Sequence, residues 1–97
     1  MRIEFKRSGG FGNIPRSVTW DTDAMSAEDA RELTQLVDAA SFFNQPQELR
    51  SGGADKFQYT IRIDRDGQTH TVQADERALP ANLAPLVKKL EAAAGKR

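Results

Sequence analysis

The residues able to do chemistry are few and scattered. His70 is the single histidine, and the chain has no cysteine. No thiolate zinc site or thiol nucleophile can therefore form, and His70 has no second histidine or cysteine to share a metal with. A Ser-His-Asp arrangement is compatible with the composition, but no serine stands in a G-x-S-x-G elbow. Asp64-x-Asp66-Gly67 shares part of a calcium-loop pattern without the twelve-residue ligand spacing, and a hairpin turn explains it better. Asp75 and Glu76 are isolated acids, and Asp21-Thr22-Asp23 reads as a polar connector. Ser8-Gly9-Gly10-Phe11-Gly12 is glycine-rich, but it lacks both G-x-G-x-x-G and a Gly-Lys-Ser/Thr ending. A strand pattern follows it, so no helix N-terminus is offered to a phosphate.

Binding is what remains, and the stretch that stands out is Ser8–Arg16, SGGFGNIPR. Glycine permits positive backbone angles and close approach. Phe11 in that setting is either a plug that returns to the core or an aromatic held out at a loop tip. Lys6, Arg7 and Arg16 cluster around the stretch, either as an anion patch or as a solvated surface, and the zero net charge favours the solvated surface. Lys and Arg total 14 against 14 Asp and Glu, so no global charge draws the chain to nucleic acid or to an anionic membrane.

The elements that must position this loop follow from periodicity. Arg2–Ser8 alternates, with Ile3 and Phe5 one way and Arg2, Glu4 and Lys6 the other, which predicts a half-buried strand. Ile14–Asp21 is a second strand with Val18 and Trp20 on one face, and Pro15 suits its entrance. The short connection makes the two an antiparallel hairpin with a real loop at its tip. Ser26 caps a helix whose first turn is acidic and whose apolar face is Ala30, Leu33, Leu36, Val37 and Ala40, closed by Phe42 and Phe43. Asn44, Pro46 and Ser51-Gly52-Gly53 mark a surface loop.

Lys56–Asp64 is the strongest strand, with Phe57, Tyr59, Ile61 and Ile63 on one face. Asp66-Gly67 predicts a type I′ turn that pairs Ile63 with His70, Ile61 with Val72 and Tyr59 with Ala74. His70 then faces inward, as a partly buried, hydrogen-bonded side chain. Trp20 and Tyr59 read as packing residues rather than ligand platforms. A last helix from about Pro80 to Ala93 presents Leu83, Leu86, Val87, Leu90 and Ala94, with Pro85 in its first turn. The expected fold is a single α+β domain over 1–97: a four-stranded, mostly antiparallel sheet with two helices on one face, in the order ββαββα.

Several of these pieces together resemble the emfourin family, proteinaceous inhibitors of thermolysin-like metallopeptidases. They are Ile3-x-Phe5, the loop Ser8-Gly9-Gly10-Phe11, Ile14 followed by Arg16, and Leu33-x-x-Leu36-Val37. Further along come Asp55-x-Phe57-x-Tyr59-x-Ile61, His70-Thr71-Val72 and Leu83-x-x-Leu86. The family loop usually continues with a small residue and a glycine before the aliphatic; here it reads Gly12-Asn13-Ile14.

The resemblance implies a small cytoplasmic bacterial protein that blocks the active-site groove of a zinc peptidase resembling thermolysin or protealysin. It carries no metal or cofactor of its own and is not an enzyme. The peptidase-binding segment it implies is Ser8, Gly9, Gly10, Phe11, Gly12, Asn13 and Ile14, with Phe11 as the apolar anchor. The chain is expected to act as a monomer, without nucleic acid or membrane. A binding or assembly module using the same loop is the alternative, and a small hydrolase dependent on His70 is a third.

Overall fold

The structure is a computed structural model that describes residues 1–9, 15–49 and 57–94. Its frame is a sheet built from the alternating segments. Strand β1, Arg2–Gly9, pairs antiparallel with β2, Arg16–Asp21, in a register that sets Ile3 opposite Trp20 and Phe5 opposite Val18. Strand β4, Phe57–Arg65, pairs antiparallel with β1 on its other side and with β5, Gln68–Asp75. The β4–β5 register is the one the turn predicts: Ile63 opposite His70, Ile61 opposite Val72, Tyr59 opposite Ala74. Both turn residues have positive φ, 51° at Asp66 and 80° at Gly67, as a type I′ turn requires.

The expectation of four strands in the order ββαββα is corrected. Among the described residues the sheet has five strands, ordered β2-β1-β4-β5-β3, and it is mixed. The extra strand β3 is Glu48–Leu49, which runs parallel to β5 opposite Gln73 and Ala74. The chain order is therefore ββαβββα. Two residues cannot display an alternation, so the segment carries no strand signal of its own. It is recruited by β5, whose Gln73 amide donates to the Gln47 carbonyl at 2.8 Å. Ile14, placed in the second strand by its pattern, lies outside the described residues.

Helix α1 is Ala27–Ala39. The Ser26 hydroxyl accepts from the Asp29 amide at 3.1 Å, as expected of its cap. Phe42 and Phe43 do not close this helix. Ser41 takes a left-handed conformation, φ 47°, and the two rings belong to a separate 3-10 turn, Phe42–Asn44. Helix α2 is Ala84–Ala94, shorter at its start than expected, with Pro85 in its first turn where the missing amide has no intrahelical partner.

Both helices close over one sheet face. Ile3, Phe5, Tyr59, Ile61, Ile63, Val72 and Ala74 from the sheet meet Leu33 and Val37 of α1 and Leu86, Val87 and Leu90 of α2 in one core. Each large aliphatic or aromatic side chain buried there contributes about 1.5–3 kcal/mol. The opposite sheet face presents Lys6, Ser17, Thr60, Arg62 and Thr71, and is polar.

Candidate functional site

The alternation that buries Ile3 and Phe5 carries on to the loop end of β1. Ser8 falls on the polar sheet face opposite Gln58, and Gly9 falls opposite Phe57. Gly9 has φ 80°, a left-handed conformation that a side chain would strain, at the last residue before the loop. Of the seven predicted site residues, Ser8 and Gly9 are thus placed together at one end of the sheet. Gly10, Phe11, Gly12, Asn13 and Ile14 lie outside the described residues.

The inner face beneath Gly9 is built from charged and aromatic groups that the sequence did not connect. Arg7 does not belong to a solvated patch. Its Nη1 donates to Glu91 Oε2 of α2 at 2.8 Å, and its guanidinium carbon lies 4.4 Å from the centre of the Phe57 ring. The Tyr59 hydroxyl donates to the same Glu91 oxygen at 3.2 Å, while its ring stacks on Phe5 with centroids 5.9 Å apart. Arg16 stands opposite Arg7 across the hairpin, a like-charge pair that Glu91 offsets on the Arg7 side.

The acids near this end are structural. Asp75 is buried, and one of its oxygens accepts the amides of Arg77 and Ala78, both at 3.0 Å, to turn the chain out of β5. Glu76 accepts the Phe57 amide at 3.1 Å and returns its own amide to the Phe57 carbonyl.

Burial, followed by the Glu91 carboxylate beside it, pushes the Tyr59 hydroxyl up to about 12. An unfolded chain loses that proton near pH 10. Between pH 10 and 12 the folded state therefore binds more protons, and its stability falls as pH rises across that window. Tyr59 is the sole tyrosine, so tyrosinate absorbance reads it alone. The midpoint is expected near pH 12 in the native protein and near pH 10 in denaturant. A native midpoint near pH 10 contradicts the burial of the Tyr59 hydroxyl beside Glu91.

His70 is the inward, partly buried residue expected. Its Nε2 donates to the Gln45 carbonyl at 2.7 Å, and its ring meets Phe42 edge-on at 5.6 Å. Among the described residues, no group of three or more His, Cys, Asp or Glu side chains could hold a metal ion, and no helix is long and apolar enough to cross a membrane. A crevice of about 370 Å³ lies at the far end of β2, floored by Trp20, Met25 and Leu33 and rimmed by Asp29, Glu32 and Lys89. It has no histidine to activate the Thr19 hydroxyl in its wall, and Lys89 is already engaged with Glu32 at 3.1 Å.

The fold is that of a small α+β domain, and the glycine-rich segment of the sequence follows Gly9 at one end of its sheet. The emfourin family profile matches residues 5–91, and the chain belongs to that family. Its members are peptidase inhibitors, not enzymes. Among solved structures, the chain is similar to emfourin from Serratia proteamaculans, an M4 family peptidase inhibitor. The identity is 22%, with a TM-score of 0.51 over 88% of this chain and 83% of that one, a likeness of fold. No curated protein sequence matches the chain.

Proposed function

We propose that this protein is a reversible inhibitor of a thermolysin-like (protealysin-like) zinc metallopeptidase, and that it fills the active-site groove with Ser8–Ile14. The observation that carries this reading is the family match, which spans the whole loop. The S. proteamaculans protein of similar fold is described as an inhibitor of M4 family peptidases. Geometry adds support. The inner face beneath Gly9 is occupied by Arg7, Phe57, Tyr59 and Glu91, so a ring folding back there would meet ionic groups rather than an apolar hole. Phe11 as an outward anchor suits a peptidase that favours a large apolar side chain just after the scissile bond.

One ring is not sufficient. Burying phenylalanine is worth on the order of 2–3 kcal/mol, whereas nanomolar inhibition needs about 12 kcal/mol. The remaining loop residues and the loop's backbone supply the rest. The attachment of the loop to two paired strands limits the ordering entropy lost on binding. The chain needs no metal of its own, because the zinc belongs to the peptidase.

Titration of thermolysin and of a protealysin-like peptidase with the purified protein, with hydrolysis of a chromogenic peptide as the signal, tests the reading. Activity should fall, substrate should compete with the inhibitor, and dilution should restore the rate. Full activity of both peptidases at an inhibitor excess of about a hundredfold over a micromolar constant would refute the inhibitor reading and leave a binding module for some other protein.

A further inference from the structure

An ionic cluster sits where an apolar one would be simpler. Position 7 lies on the core face of β1, next after Ile3 and Phe5, and Arg7 keeps only 21% of its side chain exposed. Glu91 keeps 31% of its own exposed, although it lies on α2 beside the buried Val87 and Leu90. Desolvating both charges offsets much of their attraction, so such a pair adds little stability over a well-packed apolar pair. The Arg7 Nε adds a further cost, since it is buried with no hydrogen-bond partner among the described residues.

Orientation is what the cluster supplies. A guanidinium placed over one ring and bonded to one carboxylate has fewer alternative arrangements than two aliphatic chains would have. One Glu91 oxygen collects bonds from β1, through Arg7, and from β4, through Tyr59. The Phe57 ring that Arg7 covers belongs to the residue opposite Gly9. The cluster therefore fastens α2, β1 and β4 to one another within two residues of the point where the chain turns out of the sheet.

We infer that Arg7 and Glu91 are positioning residues for inhibition: with Tyr59 and Phe57 they fix the end of β1 against α2, so that the loop leaving at Gly9 reaches the peptidase groove already oriented. The inference rests on the loop reading above. A loop whose base is fixed loses less entropy on binding than one whose base swings. Neither Arg7 nor Glu91 needs to touch the peptidase for this, and their effect is transmitted through Phe11 and its neighbours.

The test is a double-mutant cycle on the inhibition constant for thermolysin, using the full chain. Glu91→Gln keeps the shape and removes the charge; Tyr59→Phe keeps the ring stacked on Phe5 and removes the hydroxyl. In the otherwise native protein, Glu91→Gln should weaken inhibition about tenfold and Tyr59→Phe about threefold, with circular dichroism spectra unchanged. In a Phe11→Ala background each factor should be smaller, because the oriented ring is gone and only the rest of the loop still gains from a fixed base.

Equal factors in both backgrounds would overturn the inference, since they are the mark of direct contact or of a general structural role. No effect of Glu91→Gln or Tyr59→Phe, while Phe11→Ala does weaken inhibition, overturns the positioning role and leaves the loop reading intact. No effect of Phe11→Ala removes the anchor role of the ring, and the inference with it. If Glu91→Gln does not fold, Tyr59→Phe carries the same cycle to the same outcomes.

Discussion

Replacing Phe11 by alanine should raise the inhibition constant for a thermolysin-like peptidase roughly 30- to 150-fold, the factor that corresponds to about 2–3 kcal/mol of lost ring burial. The melting temperature should move by no more than about 4 °C, as for substitutions away from the core. The two measurements separate the two roles open to the ring. A ring anchored in the peptidase contributes to the complex and not to the free protein. A ring packed in its own core contributes to the free protein, and its removal would cost several kcal/mol of stability. A large fall in melting temperature with an unchanged inhibition constant would sink the anchor role. Residual inhibition is expected even in the successful case, because the greater part of a nanomolar affinity must come from the rest of the interface.

The largest effect on stability is expected at Phe42. It is 1% exposed and meets both Phe43 and His70 edge-on, at 5.7 and 5.6 Å. Phe42→Ala should cost about 3–5 kcal/mol, the range for emptying a buried phenylalanine site. A domain of this size has about 5–15 kcal/mol in total, so the loss is about a fifth of it or more. Its urea midpoint should fall by about a fifth or more, with the slope of the transition little changed. The cavity would open under the His70 ring, whose bond to the Gln45 carbonyl spans the same turn. A loss below about 1 kcal/mol would show that the turn collapses onto the gap.

Much of the fold is legible wherever a pattern repeats. The alternations in β1, β4 and β5 name the inward residues, and Asp66-Gly67 fixes a register that the structure keeps at each pair predicted. Ser26 is legible because capping is a local act. The departures occur where structure is decided by a neighbour. β3 is too short to show a period and takes its conformation from β5. Phe42 and Phe43 continue the apolar rhythm of α1, but the left-handed Ser41 ends the helix before them. Arg7 and Glu91 are 84 residues apart in sequence, and each alone reads as an ordinary surface charge. Only the fold shows that β1 and α2 bring them together. At the loop itself, composition marks the segment, and the structure places its base at Ser8 and Gly9.

The place of β1 between β2 and β4 has a kinetic consequence. Its neighbour β4 lies beyond α1, so the β1–β4 seam joins two distant parts of the chain. Folds dominated by such distant pairings are slow, in the millisecond-to-second range, because the intervening chain must be ordered before the contacts form. As the chain emerges from the ribosome, β1 and β2 can pair early, yet a two-stranded hairpin is marginal in water. Until β4 arrives, the hairpin carries an open strand edge and an uncovered apolar face, the state in which newly made chains pair wrongly with one another.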